Sequence, residues 1–172
     1  MKNLFSFILI SIIMLTSCKE QESKNELSVS EKQKIEVDLR KRVQKIVENS
    51  EIGNLEEVAE VYWDSPEFVG VTNGEIKNYE KYIEGDKEYF EILNKQKFSE
   101  NDLLFTFLSK DIVIATYNGN ALADLNDGTK LRLDPFTATL VFKNIDGTWK
   151  SVYTNEFMTI EPIATDSTDI NK

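Results

Sequence analysis

Histidine is absent from the 172 residues, so any acid–base chemistry falls to carboxylates, tyrosines and lysines. The same absence excludes a Ser-His-Asp or Cys-His nucleophile and a His-ligated zinc. The sequence holds no glycine loop that would cradle a phosphate and no calcium-loop spacing, so no metal and no cofactor is expected. Among the residues that remain, Asp86 stands out. Helical steps of about 100° place Tyr79, Ile83, Asp86, Phe90 and Leu93 in one stripe, with Tyr82 and Tyr89 flanking it. An ionised carboxylate in the middle of an apolar stripe is very costly unless it is partnered. Asp86 must therefore find partners, carry a proton, or face a pocket filled by water or ligand. A carboxylate among tyrosines suits a general base, or a group that holds a ligand's hydroxyl or amine. It equally suits a structural acid satisfied by a tyrosine hydroxyl or a backbone group.

The chain is organised around Asn54 to Gly74. Leu55, Val58, Ala59 and Tyr62 repeat at helical spacing after Asn54, a good N-cap, with Glu57 placed to complete a box-like cap. Pro66 stops this helix. Phe68, Val69 and Val71 then read as a short strand, closed by the Asn73-Gly74 turn. Upstream, Ser30 with Gln33 marks a helix start, and Ile35, Leu39, Val43, Ile46 and Val47 carry the helix to about Asn49. Downstream, a third helix is predicted from Asn78 to Lys95. Strands follow at Leu103 to Leu108, Ile112 to Leu125, Lys130 to Lys143 and Trp149 to Ile160, with hairpin turns at Asn126-Asp127-Gly128 and Asn144-Ile145-Asp146-Gly147. Asn118-Gly119 reads as a bulge in one long bent strand. On the last strand, alternation puts Trp149, Ser151, Tyr153, Asn155 and Phe157 on one face.

A net charge of -10 argues against nucleic acid as a partner, because phosphates demand a basic surface. Lys2 precedes an apolar run from Leu4 to Leu15 that is too short for a membrane span and suits an export signal. It ends in Leu15-Thr16-Ser17-Cys18, which resembles the lipobox of bacterial lipoproteins. That resemblance implies cleavage before Cys18, the only cysteine, and lipidation there. Lys19 implies an outer-membrane rather than inner-membrane address, and Glu20 and Glu22 resemble acidic surface-export tags of Bacteroidetes lipoproteins. The expected organisation is a signal peptide at 1–17, a flexible tether at 18–29, one α+β domain at 30–160 and a loose tail at 161–172.

The order helix, helix, strand, helix and then a meander of long strands, with Asp146-Gly147-Thr148-Trp149-Lys150 leading into the last strand, resembles the NTF2-like superfamily, in particular its SnoaL-like and DUF4440-like branch. The resemblance covers roughly residues 30–160. It implies a cone: three helices packed in the concave face of a strongly curved antiparallel sheet, with a pocket at the wide end and dimerisation through the outer sheet face. Catalysts of the ketosteroid isomerase kind in this superfamily carry an aspartate near the end of the first strand. Here that region reads Phe68-Val69-Gly70-Val71-Thr72, with no carboxylate. Final-strand positions that hold histidines in SnoaL-like relatives correspond to Tyr153 and Asn155. The resemblance thus implies a pocket lined by Tyr62, Asp86, Tyr89, Tyr117, Trp149, Tyr153 and Asn155, with Tyr82 in its wall, and Asp86 bonded to a tyrosine or to Asn155. Three functions remain open. One is a non-catalytic lipoprotein that binds a small apolar or amphipathic ligand or a protein partner. Another is a SnoaL-like enzyme (an isomerase, cyclase or hydrolase) using carboxylate and tyrosine acid–base chemistry. The third is a structural subunit whose cone is filled by its own side chains.

Overall fold

The computed structural model describes residues 27–164. The expected signal peptide, Cys18, most of the expected tether and the expected tail beyond residue 164 lie outside the described residues. Helix α1 (Val29–Glu51) is followed by α2 (Leu55–Ala59), β1 (Val69–Thr72), β2 (Glu75–Lys77) and α3 (Tyr79–Ile92). Then come four long strands: β3 (Leu93–Phe107), β4 (Ile112–Leu125), β5 (Lys130–Ile145) and β6 (Thr148–Pro162). They form one curved six-stranded sheet in the order β2-β1-β6-β5-β4-β3. The expected α+β class and helix-in-sheet arrangement are therefore present. No helix among the described residues is long and apolar enough to cross a membrane.

Helix α1 starts two residues earlier than Ser30 and Gln33 suggest. Ser28 caps it, with the Glu31 carboxylate accepting from the Ser28 amide at 2.8 Å and the Glu31 amide donating to Ser28 Oγ. Leu39 and Val43 project from it into the core. Helix α2 is shorter than its stripe predicts. Asn54 makes no side-chain cap, and Glu57 pairs instead with Lys45 of α1 at 2.6 Å. Beyond the helix, the chain is pinned to β6: Ser151 N donates to Val61 O at 2.9 Å, and Trp63 N donates to Ser151 O at 2.9 Å. These two bonds hold Tyr62 against the sheet.

Asn73 and Gly74 both have positive φ, at 49° and 87°, the geometry of a tight hairpin turn. The turn creates β2, a strand over residues that the sequence reading left unassigned between the turn and the third helix. The expected all-antiparallel sheet needs one correction: β1 pairs with β6 in parallel. The chain enters β1 from the helical layer rather than from a hairpin, so nothing forces it to oppose the end of the meander.

Strand β3 begins ten residues before the predicted Leu103. Its first half is rich in lysine and acids, so no apolar alternation marks it. It is held by pairing along β4, by the Lys95–Asp124 ion pair at 3.2 Å and by Lys97–Glu51 at 2.9 Å. The bulge expected at Asn118-Gly119 is present: the register with β5 shifts between Gly119 and Ala121, and that with β3 between Glu100 and Asp102. Such bulges bend long strands and let the sheet wrap round the helices. Leu39, Val58, Tyr62, Phe68, Val113 and Phe142 make the centre of the core, with Trp149 buried at its edge. Ile83 and Phe90, on the apolar stripe of the third helix, are half-buried and pack against it.

Candidate functional site

A cavity of about 290 Å³ opens between α1, α3 and the concave face of the sheet. Most of its wall is apolar, including Val43, Val47, Phe90, Phe136, Leu140 and Met158. The polar groups collect in two places.

The first is where α3 meets β1, β2 and β6. Tyr82 from α3 and Tyr62 from the segment after α2 pack edge to face with ring centres 5.1 Å apart, and Phe68 lies 5.5 Å from Tyr82. Gly70 on β1 makes room for the Tyr82 ring, since a methyl group there would lie 2.3 Å from Tyr82 Cδ2. So fixed, the Tyr82 hydroxyl donates to Glu156 Oε1 at 3.0 Å and lies 3.4 Å from the Tyr62 hydroxyl. Asp86, one turn further along α3 than Tyr82, lines the same end of the cavity with Thr72, Lys77 and Gly85. Lys77 is held towards the rim by Glu75 at 3.3 Å.

Burial governs the protonation of this corner. The Asp86 carboxyl is pushed well above the usual carboxylate range, first by loss of water, then by the negative charge of Glu156, against a smaller opposing pull from Lys77. Glu156 is raised by burial too, but the Tyr82 hydrogen bond and Lys77 favour its charged form. Asp86 accepts no hydrogen bond among the described residues that would favour its own charge. When the pair holds one proton, the Tyr82 hydrogen bond favours the anion at Glu156 and leaves the proton to Asp86. The phenols of Tyr62 and Tyr82 are driven well above their ordinary range, mainly by burial, and remain neutral donors.

The second polar region lies across the sheet. Gln96 bridges α1 and α3, donating to Ser50 O at 2.7 Å and accepting from the Tyr89 hydroxyl at 2.9 Å. The proton of Tyr89 is thus committed, and burial lifts its phenol to about 12. Tyr117 on β4 is different. It is only 3% exposed, and its hydroxyl is buried with no hydrogen-bond partner among the described residues. Gly119, the next inward position on β4, leaves the space over which the Tyr117 phenol leans.

The structure thus gathers Tyr62, Tyr82, Asp86, Tyr89 and Tyr117 around one cavity. It does not place Trp149, Tyr153 or Asn155 there. Trp149 is buried in the core beside Asn144, its cross-strand partner. Tyr153 is half-buried on the other face of β6, and Asn155 is exposed. The reason is a bulge. Phe142 pairs with Ser151 and Val141 with Tyr153, which leaves Val152 as an extra residue. Ser151 Oγ donates to Tyr153 O at 3.0 Å across it. One extra residue reverses the alternation, so Thr154, Glu156, Met158 and Ile160 point inward in place of Tyr153 and Asn155. Asp86 accordingly lies near Glu156, and neither a tyrosine nor Asn155 bonds it. Glu156, Lys77 and Thr72 were missed for the same reason: each is placed by β1, β2 or the β6 bulge, which apolar alternation does not mark. Among the described residues no group of three or more acids or thiols is arranged to hold a metal ion.

The sequence matches no family model and no curated protein. Solved structures do resemble the fold. A hexachlorocyclohexane dehydrochlorinase, LinA type 2, superposes with a TM-score of 0.67 at 15% identity, covering 83% of this chain and 100% of its own. A candidate scytalone dehydratase from Novosphingobium aromaticivorans gives 0.70 at 9% identity, over 80% of this chain and 93% of its own. An NTF2-like superfamily protein from Salmonella enterica gives 0.65 at 9% identity, over 82% and 99%. The fold is that of the NTF2-like superfamily. At these identities the likeness extends to the fold alone.

Proposed function

We propose that this NTF2-like cone is the binding site of one small amphipathic molecule, carried by a lipoprotein anchored through Cys18 in the outer membrane of a bacterial envelope. The observation that carries the binding reading is the segregation of the cavity wall. An apolar barrel ends in two carboxyls and two tyrosine hydroxyls that converge from α3, β6 and the segment after α2. A cavity that is mostly apolar with a few convergent polar groups is the usual form of a small-molecule site. A cone filled by its own side chains would leave no such space, which disfavours a purely structural subunit. For the anchor, the support is Leu15-Thr16-Ser17-Cys18 after the only long apolar run. Several acyl chains on one residue would hold the protein firmly to a membrane.

A second reading has its own support. Asp86, where burial favours the proton, and Glu156, where Tyr82 favours the anion, would supply an acid and a base in one mostly apolar cavity, the pairing that proton transfer requires. Two structural neighbours are named as a dehydrochlorinase and a dehydratase, both eliminating enzymes. On this reading the chain would remove a proton from its ligand at Glu156 while Asp86 protonates the leaving group. We favour binding, because Glu156 is already engaged by Tyr82 at 3.0 Å and the chain has no histidine to share the work.

Native mass spectrometry of the purified protein separates these readings from the filled cone. A one-to-one adduct is expected. It should be lost on Ala138→Phe, which adds bulk at the middle of the cavity wall. A protein that carries no adduct, and that takes up no apolar ligand whether Ala138 or Phe occupies the position, would refute the binding site.

A further inference from the structure

The charges of the buried corner do not balance, and the imbalance indicates what kind of ligand would complete it. Asp86 and Glu156 enter the cavity from α3 and β6, and among the described residues the only cation lining it is Lys77 on β2, already shared with Glu75 at 3.3 Å. The other titratable groups facing Asp86 are the neutral phenols of Tyr62 and Tyr82. One lysine can offset one carboxylate, so the second is neutralised only by a proton or by a cation brought in from outside.

An independent feature lies on the same row of the sheet. Glu156 pairs with Ala138, and Ala138 pairs with Tyr117. Glu156 and Tyr117 are therefore inward neighbours on β6 and β4, separated by the smallest side chain on that row. Two strand spacings put their backbones about 10 Å apart. The Tyr117 hydroxyl is buried and has no partner among the described residues, a state that costs free energy until something bonds it.

We propose that the cavity takes a small organic cation: an amine whose ammonium lies against Asp86 and Glu156, whose apolar body crosses Ala138, and whose far end offers a polar group to Tyr117. The inference rests on the binding reading above and adds the ligand's chemical class. When the ammonium arrives, the proton on Asp86 leaves to solvent. The site then holds two cations and two carboxylates, with Lys77 and the ligand on one side and Asp86 and Glu156 on the other. Uptake of the amine is thus coupled to release of a proton, and the affinity for an amine rises with pH until the ligand itself deprotonates.

Calorimetric titration of the protein with tyramine and with tyrosol, its neutral alcohol counterpart, tests this directly. Octylamine and octanol serve as a second pair of a different shape. The amines should bind at least about tenfold more tightly than the alcohols, a difference of about 1.4 kcal/mol. The gap should widen from mildly acidic to mildly alkaline pH. Asp86→Asn and Glu156→Gln should each narrow the gap between amine and alcohol, and an undiminished gap in both would overturn the cation. The pH dependence of the unmodified protein gives the same answer without any variant. Tyr117→Phe should weaken tyramine more than phenethylamine, which lacks the phenol. An equal effect on both would remove Tyr117 from the site. Alcohols that bind as well as the amines would overturn the cation and leave the binding reading intact. If none of these probes binds while the neutral dye Nile red still does, the cation is overturned and the binding reading stands; if Nile red fails too, both are overturned.

Discussion

Two carboxyl groups in one apolar cavity cannot both ionise without cost, and the sign of that cost sets a pH dependence. Free carboxyls of these types titrate near 3.8 and 4.5, and both are raised in the folded protein, Asp86 more than Glu156. Below their ordinary values, both the folded and the unfolded chain are protonated, and the pair adds no difference. As pH rises, the unfolded chain ionises first and the folded chain holds its proton, so stability falls through the raised range. Asp86→Asn keeps the shape and removes the titration. Urea unfolding across pH should show the decline above the ordinary carboxylate range flattened in this variant, with stability near neutrality unchanged or raised. A second residue-scale prediction concerns Gly70. The Tyr82 ring occupies the place of a side chain there, so Gly70→Ala forces a shift of the kind that costs about 1–3 kcal/mol. Thermal or urea unfolding would measure it. Asp86 was legible in the sequence because a carboxylate interrupts a helical stripe. Glu156 was not, because its inward direction depends on one extra residue four positions earlier.

At the scale of elements, that extra residue in β6 decides which half of the strand serves the cavity. Before it, Trp149 and Ser151 face the core, and the segment around Tyr62 is bonded to Ser151. After it, β1 takes over as the neighbour of β6, from Val69 opposite Tyr153 to Thr72 opposite Glu156. The change of partner coincides with the reversal of faces. Trp149→Ala should then be expensive, on the order of 3–5 kcal/mol. Asn155→Asp, on the exposed face, should stay within about 0.5 kcal/mol. Comparable losses at both positions, measured by urea unfolding, would contradict the assigned faces. A second element-scale device is Glu60, just after α2. It pairs with Arg42 at 3.2 Å and with Lys45 on α1, and Lys150 of β6 donates to its carbonyl. The Lys45 hydrogen bond, partly opposed by desolvation, holds the Glu60 carboxyl down to about 2. Its contribution is therefore present above the ordinary glutamate value and is lost as pH falls towards 2. In Glu60→Gln, the acid limb of the same stability profile should begin from a lower plateau and fall less steeply.

For the molecule as a whole, the strand meander and its turns were readable because Gly128 and Gly147 mark positive-φ corners between runs of β-branched and apolar residues. The first half of β3 was not, since Lys95, Lys97 and Glu100 owe their extended state to neighbours distant in sequence. The α+β cone followed from element order. The cavity inside it did not, because an enclosed space depends on which side chains are short: Gly85 and Ala138. The proposed membrane address rests on Cys18, and on that proposal Cys18→Ser should release the protein from the membrane fraction or block its processing, as read by fractionation and mass. The claim on which the rest depends is that the cone holds a ligand. A titration with the neutral apolar dye Nile red, comparing the unmodified protein with Ala138→Phe, tests it most directly. Saturable one-to-one binding in the former and its loss in the latter, with unchanged thermal unfolding, is the expected result. Dye binding that is absent from both, or undiminished by the bulky residue, would contradict it.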